Sequence, residues 1–316
     1  MTYEYKCTLD EKFLKKAKDE LSEDPKNRLG AVDTLRKWII DQPHIKCPLE
    51  TEYLLRFLRV GKFSQLVARE FLTNYLTLCK EKPEYFANID MKEEKVQNFL
   101  DTGYFLFPEK KDPLGRQVGI FRPAMLDPEF KKYDKAAIFR AAYGTFVYFL
   151  AQEDSQVAGF VYLMDLTGFS LAQSKVWTLE DMKLSGKMWN KCFPGRFKAM
   201  NYYNHGPIFE ALFEVFKTFI SKKMKDRITF HGSNMESVYK VVPKECLPLE
   251  YLPDDYKGPH AGTIQELIDD LKKKMTRPDV AEQIKRESNP AVSDIDLNAV
   301  RDAGVPNESF RRLNVD

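Results

Sequence analysis

Cysteine is sparse in this 316-residue chain. Cys7, Cys47, Cys79, Cys192 and Cys246 are odd in number, widely spaced and contain no Cys-x-x-Cys pair. That argues against both a disulfide framework and a zinc site, and for a reducing compartment. Histidine is as scarce: His44, His205, His231 and His260 stand at no metal-ligand spacing. No Gly-x-Gly-x-x-Gly follows a strand-like run, and Gly186-Lys187 lacks the upstream glycine and the following hydroxyl residue of a phosphate loop. The Gly-x-Ser-x-Gly elbow of serine hydrolases is missing too. No catalytic residue, metal or cofactor is assigned on these grounds, although His205 or His231 can still meet a carboxylate in three dimensions.

Long apolar runs are also lacking. The longest, Ala141 to Ala151, begins after Arg140 and is far short of the ~20 residues a bilayer crossing needs. Any membrane contact is therefore expected to be peripheral. Met1 to Leu14 carry Lys6, Asp10, Glu11 and Lys12 without the apolar core of a secretory signal, which implies a cytoplasmic protein. The net charge of +2 predicts neither nucleic acid nor an acidic partner.

What is present is a globular composition, 43% hydrophobic, enough for one large core or two smaller ones. The first hundred residues read as helices. Leu29, Val32, Leu35 and Ile39 recur at helical spacing, as do Leu54, Leu55 and Leu58. Ser64 suits the N-cap of a helix that Pro83 closes. After Gly103, Tyr104 to Phe107 and Gln117 to Phe121 flank the turn residues Asp112-Pro113-Leu114-Gly115 and predict a hairpin.

Strands expected at 160–165, 200–203 and 227–230 then alternate with helices at 135–151, 178–192, 208–220 and 233–241. That order implies an α/β fold with a mostly parallel sheet. Thr263-Ile264-Gln265-Glu266 spells a capping box for a helix to about Lys274. Beyond Arg277, few large apolar residues and Pro278, Pro290 and Pro306 imply a tail that is disordered or lies loosely on the surface. Three segments result: a helical unit over 1–98, an α/β domain over 99–275 and a polar tail over 276–316.

One helix has an unusually wide apolar face. Ile208, Phe209, Leu212, Phe213, Val215, Phe216, Phe219 and Ile220 fill two adjacent stripes, with Glu210, Glu214 and Lys217 as the charged residues. Periodicity alone fits a core helix packed on a sheet as well as a lid over a ligand cavity. Cations gather around it: residues 187–227 hold nine Lys or Arg against three acids, a local charge of +6 against −4 for the remainder. A solvated basic face and a docking patch for anionic headgroups both account for that charge.

Cys192-Phe193-Pro194-Gly195-Arg196, Lys225-Asp226-Arg227-Ile228-Thr229-Phe230-His231-Gly232 and Leu247-Pro248-Leu249-Glu250-Tyr251 resemble the signature of the CRAL-TRIO lipid-binding family. Leu54-Leu55-Arg56-Phe57-Leu58-Arg59 is similar to that family's helical N-terminal domain. The resemblance covers residues 10–275 and is nearest the tocopherol transfer and retinaldehyde-binding branch. It implies an apolar cavity closed by a helical lid, one bound hydrophobic lipid such as a tocopherol, retinoid or carotenoid, and no chemical step.

Carried over position by position, the implied lipid-binding residues are Phe139, Ala142, Phe146, Phe160, Met164, Met188, Trp189, Met200, Ile208, Phe209, Leu212 and Val215. The implied phosphoinositide-binding residues are Arg196, Lys198, Lys223 and Arg227. The partners so implied are the lipid and, transiently, a phosphoinositide-containing membrane. The resemblance implies a monomer that binds no nucleic acid.

Three departures stand out. Polar pocket positions of the tocopherol carrier correspond to Ala142 and Phe146 here, which implies a less polar or differently shaped ligand. The family's Asn-x-Pro before the lid reads Asn204-His205-Gly206-Pro207. An apparent insertion, 252–258, replaces a Gly-Gly. Rival readings are a phospholipid exchanger, a ligand-sensing module that recruits a protein through the helical unit or the region around Lys272 to Lys274, and a lipid-directed enzyme using His205 or His231.

Overall fold

Helix formation along the first hundred residues follows the apolar spacing. The computed structural model describes residues 4–302. In chain order, α1 (Glu11–Leu21), α2 (Arg28–Ile40), the short strand β1 (Ile45–Lys46), α3 (Thr51–Val60), α4 (Gln65–Glu81), the single turn α5 (Pro83–Phe86) and α6 (Glu94–Leu100) precede the main sheet. The Ser64 hydroxyl caps α4 by accepting from the Val67 N–H, and Pro83 sits in the first turn of α5. Val32, Leu35, Ile39, Leu54, Leu55 and Leu58 share one core. Leu29 shares their spacing but stays exposed.

The α/β alternation continues with β2 (Phe105–Leu106), β3 (Gln117–Phe121), α7 (Lys135–Leu150), α8 (Glu153–Ala158), β4 (Phe160–Asp165), α9 (Leu171–Ser174) and α10 (Leu179–Lys187). It is completed by β5 (Phe197–Tyr203), α11 (Pro207–Phe216), α12 (Lys222–Lys225), β6 (Ile228–Phe230), α13 (Met235–Tyr239) and α14 (Ile264–Thr276). The five strands lie in the order β2-β3-β4-β5-β6. The hairpin pair β2 and β3 is antiparallel, and the other pairs are parallel, because each connection after β3 passes through helices. The fold is thus α/β with a mostly parallel sheet and a helical front end. Among the described residues no helix is long and apolar enough to cross a membrane.

Strand alternation separates the two faces of the sheet. On β4, Phe160, Tyr162 and Met164 point to one side, while Val161 and Leu163 join Val118, Ile120, Leu247 and Ile268 on the other. β5 interrupts the alternation with a bulge: Phe160 pairs with Phe197 and Val161 with Ala199, leaving Lys198 without an opposite residue. The extra residue lets Phe197, Met200 and Tyr202 share a face. The segment 252–258 belongs to the far side, where Leu252 and Tyr256 pack into that second cluster.

Two expectations are corrected. The helix expected over 178–192 is α-helical only to Lys187. Residues Met188–Cys192 form a wider π turn in which Lys191 leaves helical geometry, a local defect of the kind found at functional sites. The tail is not loose over its described part: α15 (Pro278–Glu287) buries Val280 and Ile284, and β7 (Asp294–Ile295) pairs antiparallel with β1. The anchor is ionic as well as apolar, since Arg56 grips the buried Glu287 carboxylate with bonds of 2.7 and 3.2 Å. The last part of the expected tail, 303–316, lies outside the described residues.

Arg59 supplies a second internal tie. It donates to both Glu23 oxygens at 2.9 Å, to Glu153 at 3.0 Å and to Gln156 at 2.8 Å. α3 is thereby joined to α8 of the α/β domain. Charges this deep persist only when paired, because an isolated one costs several kcal/mol.

Candidate functional site

Two adjoining chambers lie on the α7 side of the sheet. The inner one, about 590 Å³ including its mouth, is walled by β2 to β5 and by α7. The outer one, about 1120 Å³ including its mouth, lies under α10 and α11. Phe105, Phe121, Ala142, Met188 and Trp189 belong to both walls, so the π turn stands where the chambers meet.

Of the lipid-binding residues expected from sequence, Phe146 and Phe160 line the inner chamber, and Phe139, Met164, Met200, Phe209 and Leu212 line the outer one. Ala142, Met188 and Trp189 line both. Ile208 and Val215 are corrected: they lie outside both walls and are 40% and 43% exposed. Helical spacing explains this, since the inward stripe of α11 is Phe209, Leu212, Phe213 and Phe216, whereas Ile208 and Val215, seven apart, share an outward stripe. No residue of α11 is fully buried, so this strongly apolar helix is a cover rather than a core element.

Several wall residues lie outside the set expected from sequence. Tyr162 lies between Phe160 and Met164 on β4, and period two alone places it on their face. Phe213 and Phe216 follow Phe209 at helical spacing, and Thr145 follows Ala142 by three. Phe197 is hidden from such spacing by the bulge. Among the described residues no Lys, Arg or His lines either chamber, and the one acidic wall residue, Asp181, is engaged by Lys135 at 2.6 Å and by Thr178.

The entry to α11 is fixed by local chemistry. Asn204 takes a left-handed conformation with φ 53°, which asparagine tolerates better than most residues. Its N–H donates to Gly232 O at 2.6 Å. Gly206 then precedes Pro207 in the first turn. At the other end, Asn190 of the π turn donates to Phe219 O and accepts from Ser221 N–H, both at 2.9 Å.

The four expected basic residues do converge. Arg196 and Lys198 both bond Glu20 of α1, at 2.7 and 2.9 Å, and Lys16 reaches the same carboxylate at 2.9 Å. Burial opposes ionisation of Glu20, but the bonds from Lys198, Lys16 and Arg196 outweigh it and hold the carboxyl well below the usual range. Lys223 and Arg227 have no carboxylate partner among the described residues; Arg227 donates to Phe197 O. Burial and the neighbouring cations, including Lys62, lower the pKa of Lys223, and burial and Arg196 lower that of Arg227. Gly159 makes the close approach possible: at φ 84° its Cβ would lie on the Arg196 carbonyl oxygen.

The histidines sit apart from the chambers' walls. His205 meets Glu210 at 3.0 Å at the start of α11. His231 bonds Ser237 Oγ at 2.7 Å and Asn201 Oδ1 at 3.1 Å, and burial lowers its pKa.

Comparison with known proteins gives two family matches, to the CRAL/TRIO domain over residues 101–251 and to the Pinta-like UBA domain over residues 24–96. "Alpha-tocopherol transfer protein-like" of Homo sapiens is 33% identical over 248 residues, covering 78% of this chain and 71% of that protein. "Clavesin-1" of Xenopus laevis is 27% identical over 261 residues, covering 81% and 78%. The solved structure of Sfh5 aligns with 85% of this chain and 99% of its own at TM-score 0.45 and 14% identity.

Proposed function

Because the chain belongs to the CRAL/TRIO family of lipid-binding proteins, we propose that it carries one neutral hydrophobic lipid in the paired chambers and exchanges it at membranes bearing phosphoinositides. The observation that carries this reading is a segregation of charge. Among the described residues the walls hold no cation, while Arg196, Lys198, Lys223 and Arg227 gather outside, where α12 follows α11. An ionised headgroup inside would lie buried without a counter-ion, at a cost of several kcal/mol. That disfavours a phospholipid exchanger and favours an isoprenoid such as a tocopherol, retinoid or carotenoid. The name of the human relative points the same way.

Burying ~400 Å² of such a chain at ~25 cal/mol per Å² favours binding by about 10 kcal/mol before entropy costs. That is enough to draw it from a bilayer and makes release slow. The cation cluster supplies the release step: each basic group near an anionic leaflet is worth about 1 kcal/mol, so the cluster docks reversibly. Lys223 and Arg227 lie just beyond the Asn190-pinned end of α11, so engaging a phosphorylated headgroup there favours an opened α11. The outward Ile208 and Val215 then enter the apolar layer. Carriage involves no chemical step, and its setting is the cytoplasm with transient membrane contact.

Transfer of a fluorescent tocopherol analogue between vesicles tests the reading. Phosphatidylinositol bisphosphate in the acceptor vesicles is expected to speed transfer, and Lys223→Glu with Arg227→Glu to abolish the gain. Equal rates on all vesicles, or an unaffected double variant, would reject phosphoinositide-driven release.

A further inference from the structure

β6 closes one edge of the main sheet, and the main-chain groups on its outer side are unpaired. Met200 N–H donates to the Arg227 carbonyl and His231 N–H to the Tyr202 carbonyl, both at 2.9 Å. Successive residues of a parallel pair alternate in the side their main-chain groups face. Thr229 therefore turns its N–H and C=O toward β5, while Ile228 and Phe230 turn theirs away. Among the described residues nothing bonds those four outward groups. Such edges are ordinarily blunted by shortness, a charge, a proline or a bulge. Ile228, Thr229 and Phe230 have shortness alone, and Phe230 is 43% exposed.

Charge divides along this strand. Before it, α12 presents Lys222 and Lys225, both exposed and without a carboxylate partner among the described residues. Beside its C-terminal end, Phe213 and Phe230 line a groove shared with Glu210 and Glu214. His205 and Lys217 approach these carboxylates at 3.0 and 2.5 Å, yet their side chains stay 58% and 66% exposed, so both can accept a further cation.

We propose that β6 pairs antiparallel with β6 of a second copy of this chain, across a two-fold axis through Thr229. Ile228 of each copy then lies opposite Phe230 of the other and exchanges both N–H···O bonds with it, which satisfies all four free groups. Antiparallel pairing sets the N-terminal side of one strand against the C-terminal side of the other. Lys222 and Lys225 of each copy are thereby brought toward Glu210 and Glu214 of the other, whereas a parallel pairing sets basic beside basic. Three paired residues fall far below the area of about 800 Å² per partner of a standard interface. The dimer is accordingly weak, with Kd on the order of 10–100 µM, in place of the monomer that the family resemblance implies. The pairing does not depend on what the chambers hold.

Sedimentation velocity of the full-length protein, from about 5 to about 300 µM, spans that range. The sedimentation coefficient is expected to climb from monomer toward dimer. Phe230→Pro removes an outward N–H and leaves the bonds to β5 in place, a position where an edge strand tolerates proline. It is expected to weaken association about tenfold or more. Phe230→Ala keeps the N–H and should weaken association less, which separates the main-chain bonds from the ring; thermal unfolding checks that both variants fold. Glu210→Lys with Glu214→Lys makes all four facing positions basic, and Lys222→Glu with Lys225→Glu makes all four acidic. Each protein alone is expected to stay monomeric, and their equimolar mixture to dimerise at least as tightly as the unaltered chain. Adding Phe230→Pro to either member should abolish the mixed dimer.

An unaltered protein that stays monomeric up to about 300 µM overturns the pairing. So does a dimer that Phe230→Pro leaves unchanged, or a charge-variant mixture that stays monomeric. None of these outcomes bears on lipid carriage.

Discussion

Glu20 Oε2 accepts from both Arg196 and Lys198, at 2.7 and 2.9 Å, which puts a carboxylate of the N-terminal unit inside the cation cluster of the α/β domain. In the proposed docking, a phosphorylated headgroup would compete with that carboxylate for the same donors. Glu20→Gln keeps the side chain's size and removes the charge. It is expected to tighten cosedimentation with phosphoinositide vesicles by about fivefold, from about 1 kcal/mol of relieved competition. No change, or weaker binding, would show that Glu20 only buttresses the two cations.

The same cluster sets a pH dependence. Lys223 and Lys198 titrate below the ordinary lysine value of about 10.4, burial being the largest cause, with neighbouring cations adding to it. A depressed lysine loses its proton earlier as pH rises, and a bound anion restores it. Vesicle docking should therefore weaken as pH rises while still below the ordinary lysine value, where an unperturbed lysine would stay charged. Lys223→Arg should flatten the profile. A profile already flat in the unaltered protein counts against the cluster.

Much of the frame is legible because it is written in local patterns. The run 160–165 shows a buried strand, and Thr263 to Glu266 show a capping box. What escapes is set by contacts across the chain. Nothing in the run Phe197 to Tyr203 announces the bulge at Lys198, because a bulge is defined by the strand opposite. α15 offers mainly Val280 and Ile284 as apolar anchors, and its third hold, Glu287, is polar in composition and buried only because Arg56 meets it. The cavity follows the same rule: Ile208 and Val215 belong to an apolar stripe as good as its neighbour, and only the seat of α11 on the sheet decides which stripe faces in.

Arg59 should matter more for stability than its charge alone suggests. Arg59→Ala leaves Glu23 and Glu153 buried beside a void and is expected to cost about 3–5 kcal/mol in chemical unfolding. Arg59→Lys cannot reproduce three-way bonding from one flat group and should recover only part of it. Lys37→Ala, which breaks the exposed pair with Asp41, should cost less than about 0.5 kcal/mol. Equal losses in the two alanine variants would mean that the buried network adds nothing.

Asn190 is expected to control how readily α11 opens. Its two bonds to the Phe219 carbonyl and the Ser221 N–H clamp the end of the cover to the π turn. Gly186 completes the clamp, because a Cβ there would come within 2.7 Å of Phe219 Cβ and O. Asn190→Ala leaves both backbone groups unpaired, a cost of about 1–3 kcal/mol that favours the open form. Ligand release to protein-free acceptor vesicles should quicken about fivefold or more, with little change in overall unfolding. A slower or unchanged release would place the moving element elsewhere.

Ala142 is the small residue at the junction of the chambers, flanked there by Met188 and Trp189. Its size sets whether one ligand can occupy both. Ala142→Phe introduces a ring into free space rather than into packed core, so the usual overpacking cost of about 1–3 kcal/mol should fall at its lower end. The ring divides the cavity. A long isoprenoid that spans both chambers should lose binding outright, whereas a short one that fits beneath α11 should keep it. Measuring both ligands on the same protein separates a blocked passage from a damaged fold, since unfolding would remove both. If the long ligand binds Ala142→Phe as it binds the unaltered protein, the two chambers do not form one path and the ligand lies in one of them alone.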